Sequence, residues 1–359
     1  MKVSFEQRVK ARNAGPRGEN IHNRRIQGEK LGPPRGQPMV RNEYHIPRDP
    51  SPRTPASRGA QQFPGAMYYG NLSPVMPMGI KGVLWFQGEN NHFSKDVAAE
   101  YHLLQNAMIK SWRKAWGQGD FPFYVVQLPN GPSPKIKDAG EGTAWNFIQD
   151  SQRKALEIPN TGVAVCCDIG GPIHWQNKYD LGWRLSLIAR AQLFGEKIEC
   201  FGPLYKSHKI EGDKVLVTFD HVGGGIAAGR KTDVGPATLT KELMAHHKFG
   251  SGDLQFFQIA GAPDETGEQK WHWAKAMIVS SDSVEVSSPE VKEPKAVRYM
   301  WNKQAALPNF YNSAGLPAAV FRTDDWEYSD GWDRSTVGQE IEELKATLRE
   351  KKALPAYAK

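Results

Sequence analysis

An uncharged run of strand-forming residues that stops at a small polar turn constrains this 359-residue chain more than any other feature. In Gly79-Ile80-Lys81-Gly82-Val83-Leu84-Trp85-Phe86-Gln87-Gly88-Glu89-Asn90-Asn91, residues Val83 to Phe86 favour β structure and carry no charge. Such a run suits a strand of a parallel sheet buried on both faces. Gly88 lets the backbone approach a ligand closely. Gln87, Glu89 and Asn91 then fall at the carboxyl edge, where open α/β sheets bind their ligands.

Downstream, strand and helix patterns alternate. Val97, Tyr101, Leu104, Met108, Ile109 and Trp112 recur at three- and four-residue spacing, which predicts an amphipathic helix covering the sheet. Phe121 to Leu128 predicts the next buried strand and Trp145 to Leu156 a second helix. Thr161 to Cys167 predicts a third strand ending at Asp168, and Lys178 to Phe194 a third helix. Three such units make the fold α/β, with a parallel sheet and right-handed crossovers. Beyond Gly195 the runs Lys214–Phe219, Leu254–Ala260, Lys275–Val279, Ser283–Val286 and Ala296–Trp301 lie between turn residues and predict antiparallel β structure. Thr336 to Lys352 has the spacing of one weak amphipathic helix. The chain thus divides into a basic arm (1–62), an α/β portion (63–200), a β-rich accessory region (201–326) and a charged C-terminal helix (327–359).

The formal charge of +7 is concentrated in the arm: residues 1–60 hold 13 Lys and Arg against 5 Asp and Glu, leaving 33 against 34 elsewhere. A specific nucleic-acid groove is therefore not expected. The arm is rich in Arg, Pro, Gly and Asn and lacks an apolar period, so disorder is expected there. Cys166, Cys167 and Cys200 are too few for a disulfide framework and read as thiols, since neighbours in a strand point to opposite faces. No run of eighteen apolar residues predicts a membrane span, and the first thirty residues lack the apolar run of a secretory signal.

His174 lies in Asp168-Ile169-Gly170-Gly171-Pro172-Ile173-His174-Trp175, a loop after the third strand and before the third helix, where a general base can be placed. Its loop ends at the same sheet edge as Gln87-Gly88-Glu89. A carboxylate beside an imidazole fixes its tautomer and stabilises its protonated form, and Asp168 and Glu89 compete for that role. Asp168 also reads as an end-of-strand turn residue. The Gln87 amide can hold an oxyanion or bond a neighbouring loop, Asn91 carries the same two readings, and Trp175 is a candidate substrate contact. His221 and His246-His247 have no ligand partners at metal spacing, and the Gly-rich stretches do not match a phosphate loop, so neither metal nor cofactor is expected.

Gly82 to Asn91, then Ile173-His174-Trp175-Gln176-Asn177-Lys178 with Gly182-Trp183-Arg184-Leu185, resemble the sialate O-acetylesterases of the SGNH-hydrolase superfamily. Pro122 to Leu128, Phe201-Gly202-Pro203-Leu204-Tyr205 and Gly315-Leu316-Pro317-Ala318 follow the same course, and the resemblance covers about residues 63–326. It implies a parallel-sheet, flavodoxin-like hydrolase portion acting on acetyl esters of sialic acid or related sugars. By resemblance, His174 is the catalytic base, and Gln87, Glu89 and Asn91 belong to the second block of the active site. The family's acid commonly stands three residues before the histidine, a position filled here by Gly171. The family's nucleophilic serine lies in a Gly-Gln-Ser-Asn segment that this sequence does not contain. Ser73 and Ser151 lack the strand-to-turn setting of a nucleophile. The resemblance therefore implies either a serine supplied from elsewhere or a truncated, inactive homologue that binds glycans. It also suggests a secreted or periplasmic protein. The oligomeric state is open.

Overall fold

A computed structural model describes residues 67–76, 78–92, 94–130, 139–140, 142–169, 177–232, 234–239, 253–265, 268–301 and 308–326. The expected basic arm, the C-terminal helix and the His174-Trp175 loop lie outside these residues. From Tyr68 onward the described chain belongs to one compact unit.

Three parallel strands, β1 (Val83–Trp85), β2 (Phe123–Val126) and β3 (Thr161–Ala164), form a sheet in that order. Helix α1 (Lys95–Trp116) joins β1 to β2, α2 (Ala144–Arg153) joins β2 to β3, and α3 (Lys178–Phe194) follows β3. The sequence sets these helix ends locally. Ser94 Oγ accepts the Val97 N–H and Gly117, at φ 66°, closes α1 in the left-handed conformation. Asn177 and Gly195 do the same for α3.

β2 and β3 are buried along their length, as their uncharged sequences predict. β1 corrects the expectation of a strand buried on both faces. It pairs only with β2 among the described residues, and Leu84 is 64% exposed although its register partner Tyr124 is 2% exposed. The reason is the unequal cover of the two faces. Val83 and Trp85 turn toward the α1 and α2 side, where Trp85 packs edge-on to Trp112 and beside Phe123. On the opposite face α3 packs Leu181, Leu185 and Ile188 against Tyr124, Val126 and Ala164, leaving Leu84 open.

The remaining strands pair antiparallel. β4 (Leu204–Glu211), β5 (Lys214–Asp220), β6 (Ile226–Arg230), β7 (Thr238–Leu239) and β8 (Asp253–Leu254) are followed by β9 (Phe257–Ala260) and β10 (Trp271–Trp273). β11 (Lys275–Ile278), β12 (Ser283–Ser287), β13 (Ala296–Tyr299), β14 (Phe310–Asn312) and β15 (Phe321–Arg322) complete the set. They form sheets of order β4-β5-β12-β11-β8, β10-β9-β13-β15 and β14-β6-β7. The predicted Leu254–Ala260 strand is two strands in different sheets. Phe256 adopts φ 66°, a left-handed conformation that breaks the extended run between them.

The main hydrophobic cluster runs from the parallel sheet into the antiparallel ones, joining Phe123, Val125 and Val163 to Val217, Phe219, Ile259, Val297 and Phe321. Each such side chain, fully buried, contributes roughly 1.5–3 kcal/mol relative to exposure. β3 ends at Ala164, short of the expected Cys167; Cys166 and Cys167 lie just beyond it as free thiols that enter different hydrophobic clusters. Burial pushes the Cys166 thiol up to about 12.

Candidate active site at the carboxyl edge of the parallel sheet

β1 delivers Gln87 and Gly88 to the carboxyl edge, where Glu89 to Asn91 make a single 3₁₀ turn. Gly88 has φ 151°, and a Cβ there would stand 2.8 Å from Gln152 Nε2, 3.0 Å from Ile148 Cγ2 and 3.1 Å from Leu128 Cδ1. Only glycine fits this position. Gln152, on α2, ties the ends of two strands together: its Nε2 donates to the Gln87 carbonyl at 2.8 Å and its Oε1 accepts the Leu128 N–H at 2.8 Å.

The Gln87 side chain is held from both ends. Its Nε2 donates to Asn91 Oδ1 at 2.7 Å, and its Oε1 accepts the Tyr101 hydroxyl at 2.8 Å. Tyr101, from α1, accepts the Trp85 indole N–H at 3.3 Å. Burial pushes the Tyr101 hydroxyl up to about 12, with the Glu89 charge adding to it against the Trp85 bond, so the phenol stays a donor. Glu89 is half-buried, and its carbonyl bonds His92 Nδ1. The His92 ring packs edge-on to Trp145 at 5.3 Å. Asn130, beyond the end of β2, is fully buried; its Oδ1 accepts from Gln149 at 2.9 Å while its Nδ2 has no partner among the described residues.

In the turn that follows β3, Asp168 is 1% exposed, and Arg184, from α3, is 2% exposed. They pair in fork geometry at 2.6 and 2.8 Å, and Arg184 Nη1 also donates to the Val165 carbonyl at 2.6 Å. Burial works against the Arg184 charge, but the Asp168 charge and hydrogen bonds outweigh it and hold the guanidinium above its ordinary value. In the first turn of α3, Asp180 accepts from the Gly235 N–H at 2.6 Å and pairs with Lys231 at 2.9 Å. Burial alone would raise the Asp180 carboxyl; the Gly235, Lys231 and Asn177 donors outweigh it and hold it below the usual range. Buried ion pairs thus clamp both flanks of the segment that contains His174.

The sequence-predicted residues fall into three groups. Gln87, Gly88, Glu89 and Asn91 meet in one turn at the carboxyl edge. Asp168 lies at the same edge two strands away, roughly 10 Å by strand spacing, and both its oxygens already bond Arg184. His174 and Trp175 lie outside the described residues. Ser151 is 1% exposed and donates to the Ala98 carbonyl at 2.8 Å, which ties α2 to α1. Ser73 lies in a 3₁₀ turn before β1. Sequence reading missed Tyr101, Gln152, His92 and Arg184. Tyr101 carried a usable signal, since a tyrosine in an apolar helix stripe needs a partner for its hydroxyl. Among the described residues no three His, Cys, Asp or Glu side chains gather to hold a metal ion.

Residues 68–176 match the family described as carbohydrate esterase, sialic acid-specific acetylesterase. The chain is 32% identical over 321 residues to the sialate O-acetylesterase of Mus musculus, covering 82% of this chain and 54% of the mouse protein. It is 28% identical over 272 residues to that of Homo sapiens, covering 70% and 47%. Among solved structures it is similar to XAC1771, a carbohydrate acetylesterase from Xanthomonas citri, with a TM-score of 0.59 and 36% identity over 70% of this chain and 52% of that one. The chain spans about half the length of the curated relatives it matches. Residues 68–176, with the Gln87 turn among them, are thus the segment of this chain that matches the sialic acid-specific acetylesterase family of carbohydrate esterases.

Proposed function

We propose that this chain provides the base-bearing part of a carbohydrate O-acetylesterase that removes acetyl groups from sialic acid or related sugars. The observation that carries the reading is the Gln87 amide, fixed at the carboxyl end of a parallel strand inside the matched segment. A serine brought to this edge attacks the acetyl carbonyl, and His174 takes its proton and returns it to the departing sugar oxygen. Water then releases acetate from the acetyl-serine by the same exchange in reverse. Gln87 Nε2 and the backbone N–H of Gly88 hold the oxyanion, Asn91 orients Gln87, and Trp175 lines the sugar site. Glu89 or Asp168 orients the imidazole; the Arg184 fork on Asp168 leaves Glu89 the carboxylate with freer oxygens. The parallel sheet is read here as the SGNH-type, flavodoxin-like portion of the hydrolase, and the β-rich strands from 201 to 326 as its accessory region. Export, as for an enzyme of extracellular glycans, belongs to the same reading. Among the described residues no helix is long and apolar enough to cross a membrane.

A second reading, a glycan-binding homologue without turnover, is favoured by Ser151, whose hydroxyl is buried and bonded inward to the Ala98 carbonyl. Acetate release from O-acetylated sialic acid and from an aryl acetate separates the two. Esterase activity predicts turnover that falls by roughly 10³-fold or more in His174→Ala. Equal background release by both proteins, with retained binding of the acetylated sugar, would establish the second reading.

A further inference from the structure

Resting on the esterase reading, we infer that Tyr101 is a positioning residue that sets which way the Gln87 amide points, and so aims its N–H at the reacting oxygen. The two ends of a glutamine amide have the same shape but opposite hydrogen-bonding character, so an oxyanion donor at Gln87 works only if something specifies the flip. Trp85 does so indirectly. Its indole can only donate, and at 3.3 Å it occupies a lone pair of the Tyr101 oxygen. The Tyr101 proton must then go to an acceptor. Gln87 Oε1 at 2.8 Å is nearer than the Gln87 carbonyl at 3.3 Å. Oε1 is thereby held toward α1, and Nε2 is turned to Asn91 Oδ1 at 2.7 Å. One Nε2 hydrogen is used there. The other has no acceptor among the described residues and remains for a ligand.

The hydroxyl can hold this assignment over the working pH range because it stays protonated; a phenolate would accept from Gln87 and reverse the flip. The turn cannot satisfy Gln87 by rotating its backbone instead, since Gln152 Nε2 fixes the Gln87 carbonyl at 2.8 Å and Gly88 packs without room for a Cβ. The indole, phenol and two amides form a chain in which each donor polarises the next, so the last N–H becomes a better donor to negative charge. Tyr101 touches no substrate in this scheme. It acts through Gln87.

The test uses the full chain with Tyr101→Phe, Gln87→Ala and the double variant. In aryl acetate turnover, Tyr101→Phe should lower kcat roughly 10- to 100-fold with KM within about twofold, because an N–H aimed only at the transition state is lost. Gln87→Ala should add little in the Tyr101→Phe background. Independent, multiplying losses, or an unchanged kcat in Tyr101→Phe, would overturn the inference. A second readout does not depend on turnover. The Gln87 side-chain amide NMR pair, assigned by its absence in Gln87→Ala, should shift in Tyr101→Phe while other side-chain amides stay in place. An unmoved pair overturns the inference. A shifted pair in a protein with no His174-dependent turnover would sustain the orientation by Tyr101 and sink the esterase reading.

Discussion

The turn after β1 is held by neutral donors and acceptors, whereas the turn after β3 is held by a buried ion pair. Gln87 is fixed by Tyr101, Asn91 and Gln152 without a formal charge in any bond. Asp168 is fixed by the Arg184 fork, which engages both carboxylate oxygens. The difference bears on chemistry. A neutral network can leave one N–H unspent at modest cost, so its turn can serve a ligand. An ion pair buried to this degree tolerates little competition for its charges, because either partner left alone in a low-dielectric interior is costly. Under the proposed esterase reading, the β1 turn takes the direct role in the reaction and the β3 turn a structural one.

The largest effect should come from breaking the charged turn. Arg184→Met leaves Asp168 buried without its partner and should destabilise the fold by about 3–5 kcal/mol in urea unfolding. Arg184→Met with Asp168→Leu should recover most of that loss. If instead the double variant keeps the loss yet the single Asp168→Asn abolishes turnover without unfolding, Asp168 belongs to the reacting groups and the contrast between the turns fails. Gly88→Ala comes next. The clashes with Gln152, Ile148 and Leu128 and the positive φ should cost roughly 1–3 kcal/mol in the same measurement. Tyr101→Phe should change stability by only about 0.5–1.5 kcal/mol, so its kinetic loss stands apart from unfolding.

The smallest effect is a difference in acid sensitivity. The Asp180 carboxyl lies below its ordinary 3.8, so its stabilisation is complete above that value and is lost as pH falls through the lower folded value. Urea midpoints should therefore drop in acid below about pH 4, and less steeply in Asp180→Asn. The bonds that hold Gln87 join neutral amide, phenol and backbone groups, and Gln87→Ala should leave the acid limb parallel to wild type.

Much of this arrangement was readable in the residues themselves. The strand-helix alternation from Val83 to Phe194 follows from hydrophobic period and cap residues, and all three helices stand where their spacing puts them. Neighbour relations were not readable. An uncharged run such as Val83–Phe86 looks the same in a central strand and at an edge, because composition does not report what covers each face. Phe256 gave no sign of a strand break, since a bulky residue at positive φ is held there by its surroundings. The polar residues that build the site were hidden for a different reason. Tyr101 occupies a core position of α1, and α2 is buried all round from Ala144 to Gln152, so period could not single out Gln152 from its neighbours. The Gln-Gly-Glu turn was legible as a polar turn at a strand end; the groups that orient Gln87 needed three dimensions.

The claim that the Gln87 turn and the His174 loop form one site is tested most directly by acetyl-ester turnover in His174→Ala, Gln87→Ala and the double variant. One shared transition state predicts a double variant no slower than His174→Ala alone. Losses that multiply, or release that none of the three changes alters, would contradict it.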